Sequence, residues 1–116
     1  MMKAYYQSKK STYRLPPPIY QKMVKTVEAY DFYKQLPPGS APEAGRVLQA
    51  VDHALAVWVQ EEYRQAVFLH VAQREPYFRL EKDYGISVST LKRWTQKFVY
   101  GVARELGEDY AGLVEG

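Results

Sequence analysis

The chain has 116 residues with 47% hydrophobic and 25% charged residues, no cysteine, and a formal net charge of +3. That size and balance fit one globular domain able to bury a core without covalent staples, and argue against a disordered chain. With no cysteine, disulfides, thiol catalysis and cysteine-ligated zinc are excluded.

Charge is unevenly spread. Met1 to Thr26 holds Lys3, Lys9, Lys10, Arg14, Lys22 and Lys25 with no acid, whereas Glu105 to Gly116 holds Glu105, Glu108, Asp109 and Glu115 with no base. Ends of opposite sign describe a directional surface, although solubilising termini account for the pattern as well. No apolar run approaches the roughly 20 residues of a membrane span, and MMKAYYQSKK lacks the apolar centre of a signal peptide. A cytoplasmic protein without membrane association is expected.

Residues 1–18 read as an extended N-terminal arm. Tyr5, Tyr6 and Tyr13 lie among basic residues, and Pro16-Pro17-Pro18 disfavours a helix. Packing of these tyrosines on the body is favoured over a nucleic-acid contact. An N-terminal helix is expected over 19–36, with Ile19, Met23, Val27, Tyr30 and Leu36 along one stripe and Pro18 in a first-turn position. The aromatics Tyr30, Phe32 and Tyr33 read as core. Residues 37–45 form a Pro/Gly loop.

The region 46–107 then carries the remaining helices. Val47, Val51, Ala54, Leu55 and Trp58 line one face of a helix starting near Glu43. A break is expected near Val59 to Glu61, since one helix over Glu43–Arg74 would be long for a small domain. Tyr63, Val67, His70 and Val71 continue the stripe, and Glu75-Pro76 ends it because the residue before proline is pushed out of helical geometry. Residues 108–116 form an acidic tail in which only Tyr110 is a candidate to dock. No segment alternates as a strand does, so the chain reads as an all-α bundle of about five helices.

Within that region, Tyr77 to Leu106 has the pattern of a helix-turn-helix. Leu80 and Tyr84 share a face of a short first helix, and Gly85 can take positive φ to redirect the chain. Ser87 is placed to cap the second helix. Leu91, Trp94, Phe98, Val102 and Leu106 then form its buried stripe. On the other side Ser89, Lys92, Arg93, Gln96 and Lys97 project, with no acid between Val88 and Arg104. An apolar back with donors in front is what a DNA-reading helix needs. Ser87, Val88, Ser89 and Thr90 would enter the groove, while Lys92, Arg93, Gln96 and Lys97 would reach base edges and flanking phosphates.

Reactive chemistry is sparse. The two histidines, His53 and His70, have no second ligand a helical turn away, so neither a metal nor a cofactor is expected. His53 reads as exposed and His70 as a core histidine. No serine has a histidine and an acid in a recognisable order, and no phosphate-binding glycine loop occurs. An enzyme is not expected.

From about Leu15 onward the chain resembles the RinA/ArpU-like late-gene activators, small transcription regulators of Gram-positive phages. The residues carrying the likeness are Leu15-Pro16 with Tyr20, TVEAYDFYK (Thr26–Lys34), Val51-Asp52-His53-Ala54-Leu55, EEYRQAVFLHV (Glu61–Val71) and STLKRWTQKFVYGVARELG (Ser89–Gly107). The same order resembles the fourth region of sigma factors, a helical unit that binds DNA and touches RNA polymerase. The resemblance implies a phage or prophage regulator with duplex DNA, and RNA polymerase, as partners. Two other readings use the same basic face: a phage packaging or assembly protein such as a terminase small subunit, and a protein that binds RNA polymerase without reading DNA. The sequence leaves oligomeric state open, a homo-oligomer included.

Overall fold

The computed structural model describes residues 13–107, and over these the protein is all-α. Six helices follow in order: α1 (Pro17–Glu28), α2 (Tyr30–Gln35), α3 (Pro42–Trp58), α4 (Glu61–Gln73), α5 (Tyr77–Tyr84) and α6 (Val88–Leu106). No described residue is in a strand, and no helix among them is long and apolar enough to cross a membrane.

The start of α1 corrects one expectation. Pro17 and Pro18 lie inside its first turn, where a missing N–H leaves no helical bond unmade. The helix expected over 19–36 is also two helices. The Ala29 N–H is shared between the carbonyls of Lys25 and Thr26, which tightens the end of α1 before α2 sets off. With only six residues, α2 has one inward face. Tyr30 takes it, while Phe32, two residues on and across the helix, is 63% exposed. The three aromatics are therefore not all core: Tyr30 is buried and Tyr33 half-buried. The Tyr30 hydroxyl donates to Asp52 Oδ1 at 2.7 Å and accepts from Lys34 Nζ at 3.2 Å. The proline-rich loop ends at Ala41, earlier than expected, because Pro42 serves as the first residue of α3.

The break between α3 and α4 falls where expected, with Val59 and Gln60 extended. Arg64 fastens it. Its Nε donates to the Val59 carbonyl and its Nη2 to the Ala56 carbonyl, each at 2.9 Å, satisfying acceptors that the end of α3 leaves over.

Most of the core lies where α1, α3, α4 and α6 meet. Met23, Val27, Val51, Val67, Val71, Phe98, Val99 and Val102 are fully buried there. The α3–α6 pair is the most extensive, and Gly101 permits its closest approach, beneath Trp58. Before α1, Leu15 is buried and Tyr13 packs edge-on against Tyr100 (5.4 Å) and Trp58 (6.3 Å). Packing of the arm thus holds at Tyr13; Tyr5 and Tyr6 lie outside the described residues, as does the 108–116 tail. A second, smaller core of Ala66, Leu80, Ile86 and Leu91 sits under α5. It seats the first turns of α6 on α4.

Candidate nucleic-acid interface

The joint between α5 and α6 is built as its sequence dictates. The Gly85 N–H bonds back to the Glu81 carbonyl at 2.9 Å, and Gly85 then takes φ 67° and ψ 29°, the left-handed region. Ile86 turns inward to the small core. Ser87, extended at φ −64° and ψ 152°, accepts from the Thr90 N–H at 3.2 Å and so caps α6. Its hydroxyl also donates to Thr90 Oγ1 at 2.8 Å and lies 3.3 Å from Ser89 Oγ. Three hydroxyls therefore cluster at a helix start whose free N–H groups and dipole favour anions. Val88 is half-buried beside them.

One expected inward residue faces out: Tyr84 is 41% exposed. It is the last residue of α5, and Leu80 and Ile86 fill the small core on either side of it.

The basic residues of α6 divide into two groups. Ser89, Arg93 and Arg104 are exposed and Lys97 is half-buried; at spacings of four, four and seven they form one narrow stripe. Lys92 lies about 100° around the helix from Arg93. It is half-buried, with its Nζ 5.9 Å from the centre of the Tyr77 ring. Lys97 Nζ sits 5.0 Å from the Trp94 ring and 5.2 Å from the Tyr13 ring. Each is a cation–π placement, which leaves the charge in place while holding the side chain down. Trp94 is half-buried and stacks on Tyr63 at 5.4 Å.

Gln96 is the clear correction. At 4% exposure it belongs to the interior and offers nothing to a ligand. The reason is the breadth of the buried surface of α6. Thr95, Val99 and Ala103 are buried together with the predicted Leu91, Phe98 and Val102, so the helix is enclosed on most of its circumference. Arg104 is the residue sequence reasoning missed. It stands eleven residues after Arg93, three turns along the same face, and that pitch was the available signal.

Aromatic packing also ties α4, α5 and α6 together. His70 and Tyr77 stack at 3.9 Å and 20°, and His70 Nδ1 lies 2.7 Å from the Glu75 carbonyl, which makes it the protonated nitrogen. Burial pushes the His70 pKa down, with the Glu75 bond opposing. Burial pushes Tyr77 up to about 12, with the Thr95 hydroxyl opposing, so Tyr77 stays neutral. On the outer side of α5, Arg79, Glu81, Lys82 and Asp83 are all exposed, two of each sign. The net basic character thus resides in α6. No group of histidine and carboxylate side chains among the described residues is arranged to hold a metal ion.

Comparison of the chain with protein-family models, with curated proteins and with solved structures finds no match.

Proposed function

We propose that the protein is a small transcription regulator, of the kind found in phages, that binds duplex DNA through α5 and α6 as a helix-turn-helix. The supporting observation is the placement of the α6 N-terminus. It is capped by Ser87 and seated on its own small core, and it opens a stripe of exposed Ser89, Arg93 and Arg104 and half-buried Lys97 that contains no acid. Ser87, Ser89 and Thr90 with the first free N–H groups suit phosphate oxygens. Arg93, six residues beyond Ser87 and fully projecting, has the forked donors that match a guanine edge. Lys97 and Arg104 lie further along and suit flanking backbone.

The test is a titration of labelled duplex DNA at two salt concentrations. Three neutralised phosphates give a log–log slope of about −2.7, or roughly a 40-fold loss of affinity between 50 and 200 mM salt. Affinity that is absent, or that ignores salt, contradicts the reading.

A second reading, docking on RNA polymerase without DNA readout, is favoured by one feature. Phe78 on α5 is 71% exposed, and aromatic side chains, Phe included, are enriched at protein interfaces relative to the rest of the surface. Under this reading Phe78→Ala removes polymerase binding and leaves any DNA affinity unchanged.

A further inference from the structure

On the α6 stripe Arg93 and Arg104 are exposed, whereas Lys97 is half-buried and flanked by two rings. Its Nζ lies 5.0 Å from the centre of the Trp94 ring and 5.2 Å from that of Tyr13. Both distances fall inside the roughly 6 Å over which a ring face attracts a cation. Trp94 belongs to α6 itself, a turn before Lys97, while Tyr13 comes from the segment before α1.

Each ring is held in its turn. Trp94 stacks on Tyr63 of α4 at 5.4 Å and 24°. Tyr13 meets Tyr100 edge-on at 5.4 Å and Trp58 at 6.3 Å, and those two rings meet each other at 5.6 Å. Two residues on, Leu15 is buried in the main core and pins the backbone that carries Tyr13. A lysine in water spreads over many rotamers and loses that freedom when it binds a phosphate. One already held between two fixed rings has less to lose, so more of its attraction appears as affinity. Neither ring neutralises the charge, and the ammonium keeps N–H donors for an anion.

We propose that Tyr13 is a positioning residue for DNA binding. Together with Trp94 it holds the Lys97 ammonium at the edge of the α6 stripe, poised for a backbone phosphate. The segment before α1 thereby sets the affinity of a helix remote from it in sequence. The proposal rests on the reading of α5 and α6 as a DNA-binding unit.

The test joins a mutant cycle to NMR, both on the full chain. Wild type, Tyr13→Leu, Tyr13→Phe, Lys97→Met and Tyr13→Leu/Lys97→Met are titrated on labelled random-sequence duplex DNA, with circular dichroism confirming that each is folded. Lys97→Met keeps an unbranched stem between the rings and removes the charge. Tyr13→Leu should weaken binding about three- to tenfold, the range expected when one long side chain must be ordered on binding. Tyr13→Phe, which keeps the ring, should bind as the wild type does. In the Lys97→Met background Tyr13→Leu should have no further effect, whereas a merely structural loss would persist there. In the free protein the Lys97 Cε protons should lie upfield of their ordinary position, return towards it in Tyr13→Leu and stay upfield in Tyr13→Phe. Ordinary Lys97 shifts in the wild type, no loss in Tyr13→Leu, or an equal loss in both backgrounds overturns the proposal and leaves the DNA reading standing. A wild type without affinity for duplex DNA overturns that reading, and the positioning role with it.

Discussion

Gly101 lies directly beneath Trp58: a Cβ at that position would meet the indole Cδ1 and Cγ at 2.5 Å and the Trp58 Cβ at 3.0 Å. The approach is fixed by the backbones of α3 and α6, so a side chain here must push the two helices or the indole apart. Gly101→Ala is expected to destabilise the fold by about 1–3 kcal/mol, as overpacking does, despite the gain of roughly 1 kcal/mol in helix propensity. Gly45→Ala is the control. It lies in α3 with nothing within 4 Å of a new Cβ and should stabilise by about 0.5–1 kcal/mol. Urea denaturation midpoints moving in opposite directions would bear this out; equal midpoints would mean that the helices are not in close contact at Gly101.

Gly85 presents the contrasting case, a glycine required by backbone and not by space. Nothing lies within 4 Å of a Cβ there, yet φ is +67°. Gly85→Val should cost more than about 1 kcal/mol, because a β-branched residue is a genuine outlier in the left-handed region. Gly85→Asn, which tolerates that region, should cost clearly less. Denaturation of the two variants checks the order, and equal costs would point to an ordinary helical φ.

His70 makes stability depend on pH. Burial holds its pKa below the ordinary 6.5, so the unfolded chain takes up the proton more readily than the folded one. Stability from this residue is complete above pH 6.5 and declines as pH falls through and below it. His70→Phe keeps a ring stacked on Tyr77 without a titrating group. It should flatten the decline between about pH 7.5 and 5.5, the difference from wild type separating His70 from the exposed His53. An unchanged slope would assign the dependence elsewhere.

Much of this architecture is legible in the sequence, because local physics sets it. Glu75-Pro76, Gly85 and Ser87 each act on the backbone at their own positions, and the helix ends fall beside them. The apolar stripe of α6 is equally plain in its pitch. Legibility fails where distant elements close over a surface. Gln96 has a polar side chain in a polar stripe, and only the enclosure of α6 by its neighbours buries it. Lys92 and Lys97 look like free cations in sequence, but Tyr77 and Tyr13 bring rings beneath them from α5 and the N-terminal segment. Phe32 and Phe78 follow apolar logic yet face out, since short helices have room for one inward residue at a given level.

The central claim, that the start of α6 reads duplex DNA, is tested most directly by substitutions on its stripe. Sites are first selected from a random duplex pool, and wild type, Arg93→Ala and Lys97→Ala are then titrated on selected and random DNA at two salt concentrations. Circular dichroism checks that each variant is folded, which matters most for Lys97, whose stem lies against Trp94 and Tyr13. Arg93→Ala should cost about 1–3 kcal/mol on selected sites and much less on random DNA. Lys97→Ala should weaken both alike and lower the salt slope by about one. If both folded variants bind duplex DNA as the wild type does, or the wild type selects no sequence, α6 is not a DNA-reading helix and its basic stripe is a protein-docking face.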